Sequence, residues 1–447
     1  MKKRTSIVGI VLMLSLLIVM VGPAGAQTYL AYDSCIQVQN LSSSDAANIV
    51  VMYFQQGNET AVASPGAVVP AGGSITFCPL SAVAGGFNGS VVIESDQPVA
   101  AITNVTGGNW NAFDASYVGF DSGAQEVNIP LLHFNNWGWY SWFNVQNVGD
   151  STATVDIVYS DGTSEVIDAQ IKPNTSMTFD QALEPHSQAV FAATVTSDEP
   201  VVVTVMEVAP DMLLAYNGFT DSHPMPVMPL VQANNWGYVT GIQIMNTSGP
   251  DRLVTVTYTA TAAGTDCTQT KNIPANQSAT FALTAWDVGD ASGDNNCVNG
   301  ETFVGSAAVT DAGAATLVAI ANQHNYDTAK GAAYAGFNPD SATDTVSFPL
   351  IADRNWEFFT GYNVQNVGTA ATTVNCTFSN NGRTVGPMVL QPGEAFTDVQ
   401  LNLLGNPYVG SSTCTATGGD TSIVGVANYL KSASEADTFQ TYEGFNP

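Results

Sequence analysis

The sequence is poor in charge, and above all in positive charge. Lysine and arginine together number 10 against 38 acidic residues, and charged residues make up 11% of the 447. Nucleic acid and anionic membrane surfaces both recruit clustered lysine and arginine, so the composition argues against either as a partner. Apolar residues make up 45% of the chain, which separates it from disordered acidic polymers.

Catalytic and metal-binding motifs are also lacking. The four histidines occur singly, without an HExxH pair or cysteines at zinc-ligand spacing. There is no G-x-S-x-G elbow, phosphate-binding loop or dinucleotide fingerprint, and no nucleophile stands beside a base. The sequence therefore predicts a protein that is not an enzyme and has no cofactor, with calcium as the one cation to consider.

Only one apolar run is long, and it lies near the start of the chain. Residues 1–26 combine Lys2, Lys3 and Arg4 with an apolar stretch and an Ala-Gly-Ala end, the pattern of a cleaved signal peptide. The mature chain from Gln27 would hold 7 basic and 38 acidic residues, a formal charge of −31. No later stretch approaches the ~20 residues of a membrane span. We expect a secreted protein, extracellular or at the cell surface, without membrane insertion.

The chain contains an internal repeat. Three segments align without gaps, each with a proline seven residues before a tryptophan and an asparagine ten residues after it. The aligned residues are Pro130, Trp137 and Asn147; Pro229, Trp236 and Asn246; and Pro349, Trp356 and Asn366. A fourth copy opens the mature chain as CIQVQN, ending at Asn40, but lacks this leading segment. All four copies close on Tyr-x-Gly-Phe.

Each copy is long enough to be a domain, and its pattern is that of β-structure. Runs such as FNVQN and TVTYTAT alternate apolar and polar residues, while Gly, Pro, Asn and Asp cluster between them. The sequence predicts an all-β protein of four tandem immunoglobulin-like antiparallel β-sandwiches after the signal peptide. The predicted domains are 27–125 (repeat 1), 126–225 (repeat 2), 226–343 (repeat 3) and 344–447 (repeat 4).

Six cysteines, an even number, favour disulfides in an exported protein. Six cysteines allow fifteen pairings, but the repeat boundaries place two of them in each of three repeats. The cysteines are Cys35, Cys78, Cys267, Cys297, Cys376 and Cys414.

The stretch NNWGWYSWFNVQN places three tryptophans within six residues. Trp137 recurs in three repeats, and the position two residues further on is aromatic in each, as Trp139, Tyr238 and Phe358. Buried aromatic side chains dominate sandwich cores, so these positions are predicted to pack at a domain edge.

Trp142 is different, because glycine stands at its place in the siblings, as Gly241 and Gly361. The common fold does not need a side chain there. Trp142 is therefore expected either to cover a neighbouring domain or to form an exposed contact for a ligand.

One loop has the composition of a cation site. It reads DVGDASGDNN and offers Asp287, Asp290, Asp294 and Asn295 as oxygen ligands. Calcium takes six to eight oxygens, although the spacing is not that of an EF-hand. The alternative is a solvated loop pinned by a disulfide.

The export signal, the sandwich repeats and the acidity together resemble the tandem immunoglobulin-like proteins of bacterial cell surfaces, of S-layer, filament or adhesin type. The resemblance implies a secreted structural protein that self-associates. Repeat 1 lacks the leading segment, so either its sheet has an open edge for head-to-tail assembly or the preceding residues QTYLAYDS cover that edge. The alternative is an extracellular adhesin or glycan-binding array. The short linkers favour a semi-rigid rod.

Overall fold

The computed structural model describes residues 32–78, 80–107, 113–163, 165–283, 295–298, 300–311, 316–379, 381–405, 407–431 and 437–447. The predicted signal peptide lies outside these residues. Within them every regular element is a β-strand, apart from one short 3-10 turn at Pro339–Ser341. The predicted all-β class is confirmed.

The strands fall into the four copies. Repeat 1 holds β1 (Tyr32–Asn40), β2 (Ala47–Gln55), β3 (Gly66–Val69), β4 (Ser74–Phe77), β5 (Gly89–Ser95), β6 (Val99–Gly107) and β7 (Phe113–Val118). Repeat 2 holds β8 (Ala124–His133), β9 (Tyr140–Asn147), β10 (Ala153–Tyr159), β11 (Glu165–Ile171), β12 (Ser176–Asp180), β13 (Val190–Val208) and β14 (Leu213–Asn217). Repeat 3 holds β15 (Val227–Ala233), β16 (Val239–Asn246), β17 (Arg252–Ala263), β18 (Cys267–Ile273), β19 (Ser278–Phe281), β20 (Phe303–Asp311), β21 (Leu317–Asn325) and β22 (Lys330–Ala335). Repeat 4 holds β23 (Thr345–Asn355), β24 (Phe358–Asn366), β25 (Thr372–Phe378), β26 (Thr384–Leu390), β27 (Ala395–Gln400), β28 (Tyr408–Thr417), β29 (Ile423–Leu430) and β30 (Phe439–Glu443).

Repeats 1 and 3 each have two separate antiparallel sheets, an outer and an inner one, whereas in repeats 2 and 4 the outer and inner parts are joined into one sheet. In repeat 3 the outer sheet has the order β15-β20-β17-β18 and the inner sheet β19-β16-β21-β22. Outer strands such as β10 and β25 alternate buried and exposed residues, as a sheet with one solvated face should. Inner strands such as β21 are buried at every residue, so both faces of the inner sheet are covered.

A buried asparagine explains the shared QN motif. Asn147 ends β9 and is fully buried. Its side-chain amide donates to the carbonyls of Ser151, at 2.7 Å, and Ile171, at 2.8 Å, and its Oδ1 accepts from the Gly149 amide. Asn40, Asn246 and Asn366 make the same bonds in their repeats. The motif is structural, since it satisfies backbone groups where the strand leaves the sheet.

Three disulfides lie within repeats, as the repeat boundaries predict. They join Cys35 to Cys78, Cys267 to Cys297 and Cys376 to Cys414. Repeat 2 folds without one, which indicates that the disulfides reinforce a fold that the core already specifies.

In repeats 1, 3 and 4 the preceding repeat covers the second face of the inner sheet. In repeats 2, 3 and 4 the first strand lies against the inner sheet of the next repeat: β8 on β16 and β21, β15 on β24 and β29, and β23 on β1 and β6 of repeat 1. An apolar residue at an equivalent position of each covered sheet enters the core of the preceding repeat. Ile320 of repeat 3 joins the core of repeat 2, Val426 of repeat 4 joins that of repeat 3, and Ile102 of repeat 1 joins that of repeat 4.

The four repeats therefore close into a ring. The strands that carry Tyr-x-Gly-Phe meet at its centre, with β7 against β14, β14 against β22, β22 against β30, and β30 against β7. Ser306 Oγ donates to the Gly393 carbonyl across one interface, at 2.7 Å, and Ser411 Oγ to the Gly72 carbonyl across the closing one, at 3.0 Å. The predicted rod is wrong, because one head-to-tail contact repeats with the same sense until it closes on itself.

Candidate functional site: a face with three exposed tryptophans

The recurring tryptophans lie at the tips of three equivalent hairpin turns. Trp137 connects β8 to β9, Trp236 connects β15 to β16, and Trp356 connects β23 to β24. Their exposed fractions are 97%, 91% and 82%. The prediction that they pack at a domain edge is therefore wrong, since each indole stands in solvent.

These turns force tryptophan into an unfavourable backbone conformation. Asn136 and Trp139 exchange backbone hydrogen bonds of 3.0 and 2.9 Å across a two-residue turn. Trp137 has φ +52° and Gly138 has φ +92°, the pattern of a type I′ turn, which normally selects asparagine and glycine. Trp236 and Trp356 have φ values of +52° and +53°. A bulky residue with positive φ is a strained exception.

The aromatic side chains two residues further on do pack, as predicted. Trp139 is only 7% exposed, and its ring lies 5.4 Å from that of His324 in repeat 3. Tyr238 lies 5.4 Å from Phe439 of repeat 4, and Phe358 stacks on Tyr429 at 4.4 Å. The base of each turn is thus fixed in the fold, while its tip is free.

Ring closure places the three tips on one side of the molecule. Because the repeats are related by rotation about the central strands, equivalent turns lie at the same height along that axis. We call this side the tryptophan face and define it by the turns of Trp137, Trp236 and Trp356. Repeat 1 lacks the leading segment, so three of the four corners carry a tip.

Trp142 does not belong to this face. It is half-buried between repeats 1 and 2, with its ring 6.0 Å from Tyr32, and it packs with Val105 and Ala115 of repeat 1. Of the two predicted roles, covering a neighbouring domain is the one that these contacts support.

The missing leading strand of repeat 1 explains the tryptophan at position 142. The outer sheet of repeat 1 has only three strands, β3-β2-β5, and no described strand pairs with the far edge of β5. In the other repeats the tyrosine of Tyr-x-Gly-Phe bonds to the leading strand, as Tyr334 does to the Leu230 carbonyl at 2.6 Å. In repeat 1 the equivalent Tyr117 instead joins the Tyr32 and Trp142 cluster.

The predicted cation loop falls almost wholly outside the described residues. Asp287, Asp290 and Asp294 are among those not described, whereas Asn295 bridges to Gln269 of β18. Among the residues that are described, no group of three or more His, Cys, Asp or Glu side chains could hold a metal ion. In the same part of the chain, no helix has the length and hydrophobicity of a membrane span.

Buried charges near the ring centre connect the repeats. Asp437 of repeat 4 is fully buried, and it accepts from the backbone amides of Leu213 in repeat 2 and Gly331 in repeat 3, both at 3.0 Å. Burial raises the pKa of Asp437 well above its usual value. Burial also raises the pKa of Asp114 in repeat 1 to about 6 and lowers that of Lys330. Contacts within the assembly satisfy these groups, since Asp114 accepts from Thr106 Oγ1 at 2.7 Å and Lys330 Nζ donates to Thr438 Oγ1 at 3.2 Å.

A second polar group lies between repeats 2 and 3. His133 Nε2 is 3.0 Å from Glu207 Oε2, which also accepts from the Asn322 amide at 2.8 Å. Burial is the main cause that lowers the pKa of the adjacent His324 to about 3. No sequence motif predicts this group, because its members are far apart in the chain.

Comparison with known proteins assigns the chain to no family. No family model matches the chain, and no curated protein matches it. A solved structure of the infectious bursal disease virus Gt strain aligns over 97% of this chain and 86% of that chain at 11% identity. Its TM-score of 0.11 is too low to support any argument about fold or function.

Proposed function

We propose that the protein is a secreted, non-enzymatic binding protein that uses the tryptophan face to hold a neutral polysaccharide at several points. The main observation is that three equivalent, almost fully exposed tryptophans occupy strained turns. Backbone strain that no packing in the core offsets is typical of functional positions.

A sugar is the ligand that best fits these tips. Each indole offers one flat apolar surface among polar or small neighbours, such as Asn135, Asn136 and Gly138, and the face of a sugar ring that carries C–H groups is a matching surface. The mature charge of −31 disfavours anionic lipid and anionic glycans. Three weak contacts on one rigid ring of repeats would raise the overall affinity, because each bound tip increases the effective concentration of the ligand at the others.

The test is retention on a panel of insoluble neutral polysaccharides. Trp137→Ala, Trp236→Ala and Trp356→Ala are made singly and together, with Ile167→Ala as an exposed apolar control on β11. Each single change should weaken binding about tenfold, in line with a hot-spot cost of more than ~1 kcal/mol, and the triple variant should not be retained. Retention of the triple variant at the wild-type level would contradict the proposal.

Self-assembly at a cell surface, as in S-layers or filaments, is a second candidate. One observation favours it: the edge of β5 (Gly89–Ser95) carries no described partner strand, and an open edge accepts strands from other chains. Ring closure within one chain argues against it, since the head-to-tail contact is already used. Analytical ultracentrifugation with and without calcium decides: a monomer at high concentration in both conditions would remove this candidate.

A further inference from the structure

A cleft of about 180 Å³ lies between repeats 3 and 4. Its wall from repeat 3 includes Leu230, Gln232 and Asn235, and its wall from repeat 4 includes Phe359 and Asn363. Asn235 is the residue directly before Trp236, so the cleft lies at the base of one tip of the tryptophan face. A chain stacked on Trp236 would pass its mouth.

None of the described residues that line the cleft has an ionisable side chain. The polar groups are amides and one hydroxyl, from Gln232, Asn235, Asn363, Thr397 and Asn428. The remaining side chains are aliphatic or aromatic, apart from a glycine. This mixture suits a ligand with apolar faces and uncharged hydroxyl or amide groups at its rim. The volume is below the ~300–1,000 Å³ of sites for drug-sized ligands and matches the size of a single ring.

The amides are held in place before any ligand arrives. Gln232 Oε1 accepts from the Asn235 amide at 2.7 Å, and Gln232 Nε2 donates to Gln323 Oε1 at 3.1 Å. On the opposite wall the Asn363 amide donates to Thr397 Oγ1 at 2.7 Å. A fixed network of polar groups in an otherwise apolar cleft gives orientation and specificity to a bound molecule.

The corresponding positions at two other interfaces are filled differently. Between repeats 2 and 3 the residues equivalent to Gln232, Gln323 and Asn428 are His133, Glu207 and Asn322, which bond to one another. Between repeats 1 and 2 the position of Gly361 is taken by Trp142, whose indole occupies the interface. Gly361 leaves this space open, as Gly241 does between repeats 2 and 3. The uncharged polar lining distinguishes the cleft of repeats 3 and 4 from that interface, where His133 and Glu207 stand instead.

We propose that this cleft binds one uncharged sugar ring of the ligand, as a subsite next to Trp236. The apolar faces of the ring lie against Phe359 and Leu430, and its hydroxyl or acetamido groups bond to the amides of Asn235 and Asn363. The inference rests on the proposed function, because it assumes the same polysaccharide. Beyond the proposed function, the subsite specifies the size of the sugar ring that is bound and its lack of charge.

The test uses saturation-transfer NMR with glucose, galactose, mannose and N-acetylglucosamine, and with glucuronic acid as a charged comparison. Three proteins are compared with the wild type: Gly361→Trp, Thr397→Val, and the triple Trp137/Trp236/Trp356→Ala variant. An ideal Cβ at Gly361 meets only Val399, at 3.5 Å, so a side chain can enter there. Thr397 is exposed, so its change to valine should leave the fold intact.

At least one neutral sugar should give transfer with the wild type and the triple variant, and glucuronic acid should not. Gly361→Trp should abolish that transfer. Thr397→Val should weaken the affinity about five- to tenfold, because it removes the hydrogen bond that holds the Asn363 amide in place. Three results would overturn the subsite: no transfer with any sugar, transfer unchanged in both cleft variants, or loss in the triple variant alone. Loss of transfer in the triple variant alone would overturn the subsite but leave the proposed function standing. A triple variant that binds single sugars but not polysaccharide would support both.

Discussion

Replacing Trp137 by asparagine is expected to stabilise the protein, although tryptophan is the larger apolar residue. The side chain is 97% exposed, so its removal forfeits little burial. Its φ of +52° costs most side chains ~1–2 kcal/mol, whereas asparagine adopts this conformation readily in type I′ turns. A gain of about 1 kcal/mol in the free energy of unfolding should follow.

Trp139, two residues away, supplies the matched control. It is 7% exposed and packs against His324, so Trp139→Ala should lose about 3–5 kcal/mol. Guanidinium unfolding followed by circular dichroism measures both changes as shifts of the midpoint in opposite directions. If Trp137→Asn lowered the midpoint as Trp139→Ala does, the indole of Trp137 would be packed in solution, and the reasoning for an exposed face would be refuted.

Three further predictions concern the ring. Asp114 keeps its proton in the folded state up to pH about 6 but loses it near pH ~4 when unfolded. Its contribution of about 3 kcal/mol to stability is therefore present below pH ~4 and is lost as the pH rises to about 6. Asp114→Asn should flatten the pH dependence of urea midpoints in that range. Trp142→Gly should cost about 3–5 kcal/mol by opening the interface of repeats 1 and 2 and should leave polysaccharide retention unchanged, whereas lost retention without destabilisation would make Trp142 a ligand contact. Replacing both Cys376 and Cys414 by alanine should cost about 2–4 kcal/mol by differential scanning calorimetry, and an unchanged transition would show that the disulfide adds nothing.

The repeat unit, the strand character and the disulfide pairing could be predicted because each depends on local sequence. Alternation with period two reports one solvated face, and the outer strands have such a face. The recurring Asn147 position marks a strand end whose backbone groups need a partner. In each case the sequence signal and its physical cause lie within one repeat.

The ring could not be predicted in the same way, because it depends on surfaces of different repeats. A signal was nevertheless present. The run LVAIA at 317–321 is apolar without alternation, which is typical of a strand buried on both faces. A solitary sandwich with one solvated face does not need such a strand, so the run pointed to a covering neighbour.

The role of Trp137 was mispredicted because tryptophan is usually buried at least in part. The residue after it held the better information. Gly138 and Gly237 follow the tryptophan in two copies, and a glycine between two β-runs marks the second position of a type I′ turn. Trp137 must then occupy the first position, which points away from both sheets.

Small-angle X-ray scattering of the mature chain tests the central claim most directly, since one shared face requires a closed ring. A compact body of this length has a radius of gyration of about 22 Å, and this is the value expected. Four such domains in an extended row would give about 40 Å. A value near the latter would contradict the ring and separate the three tryptophan turns.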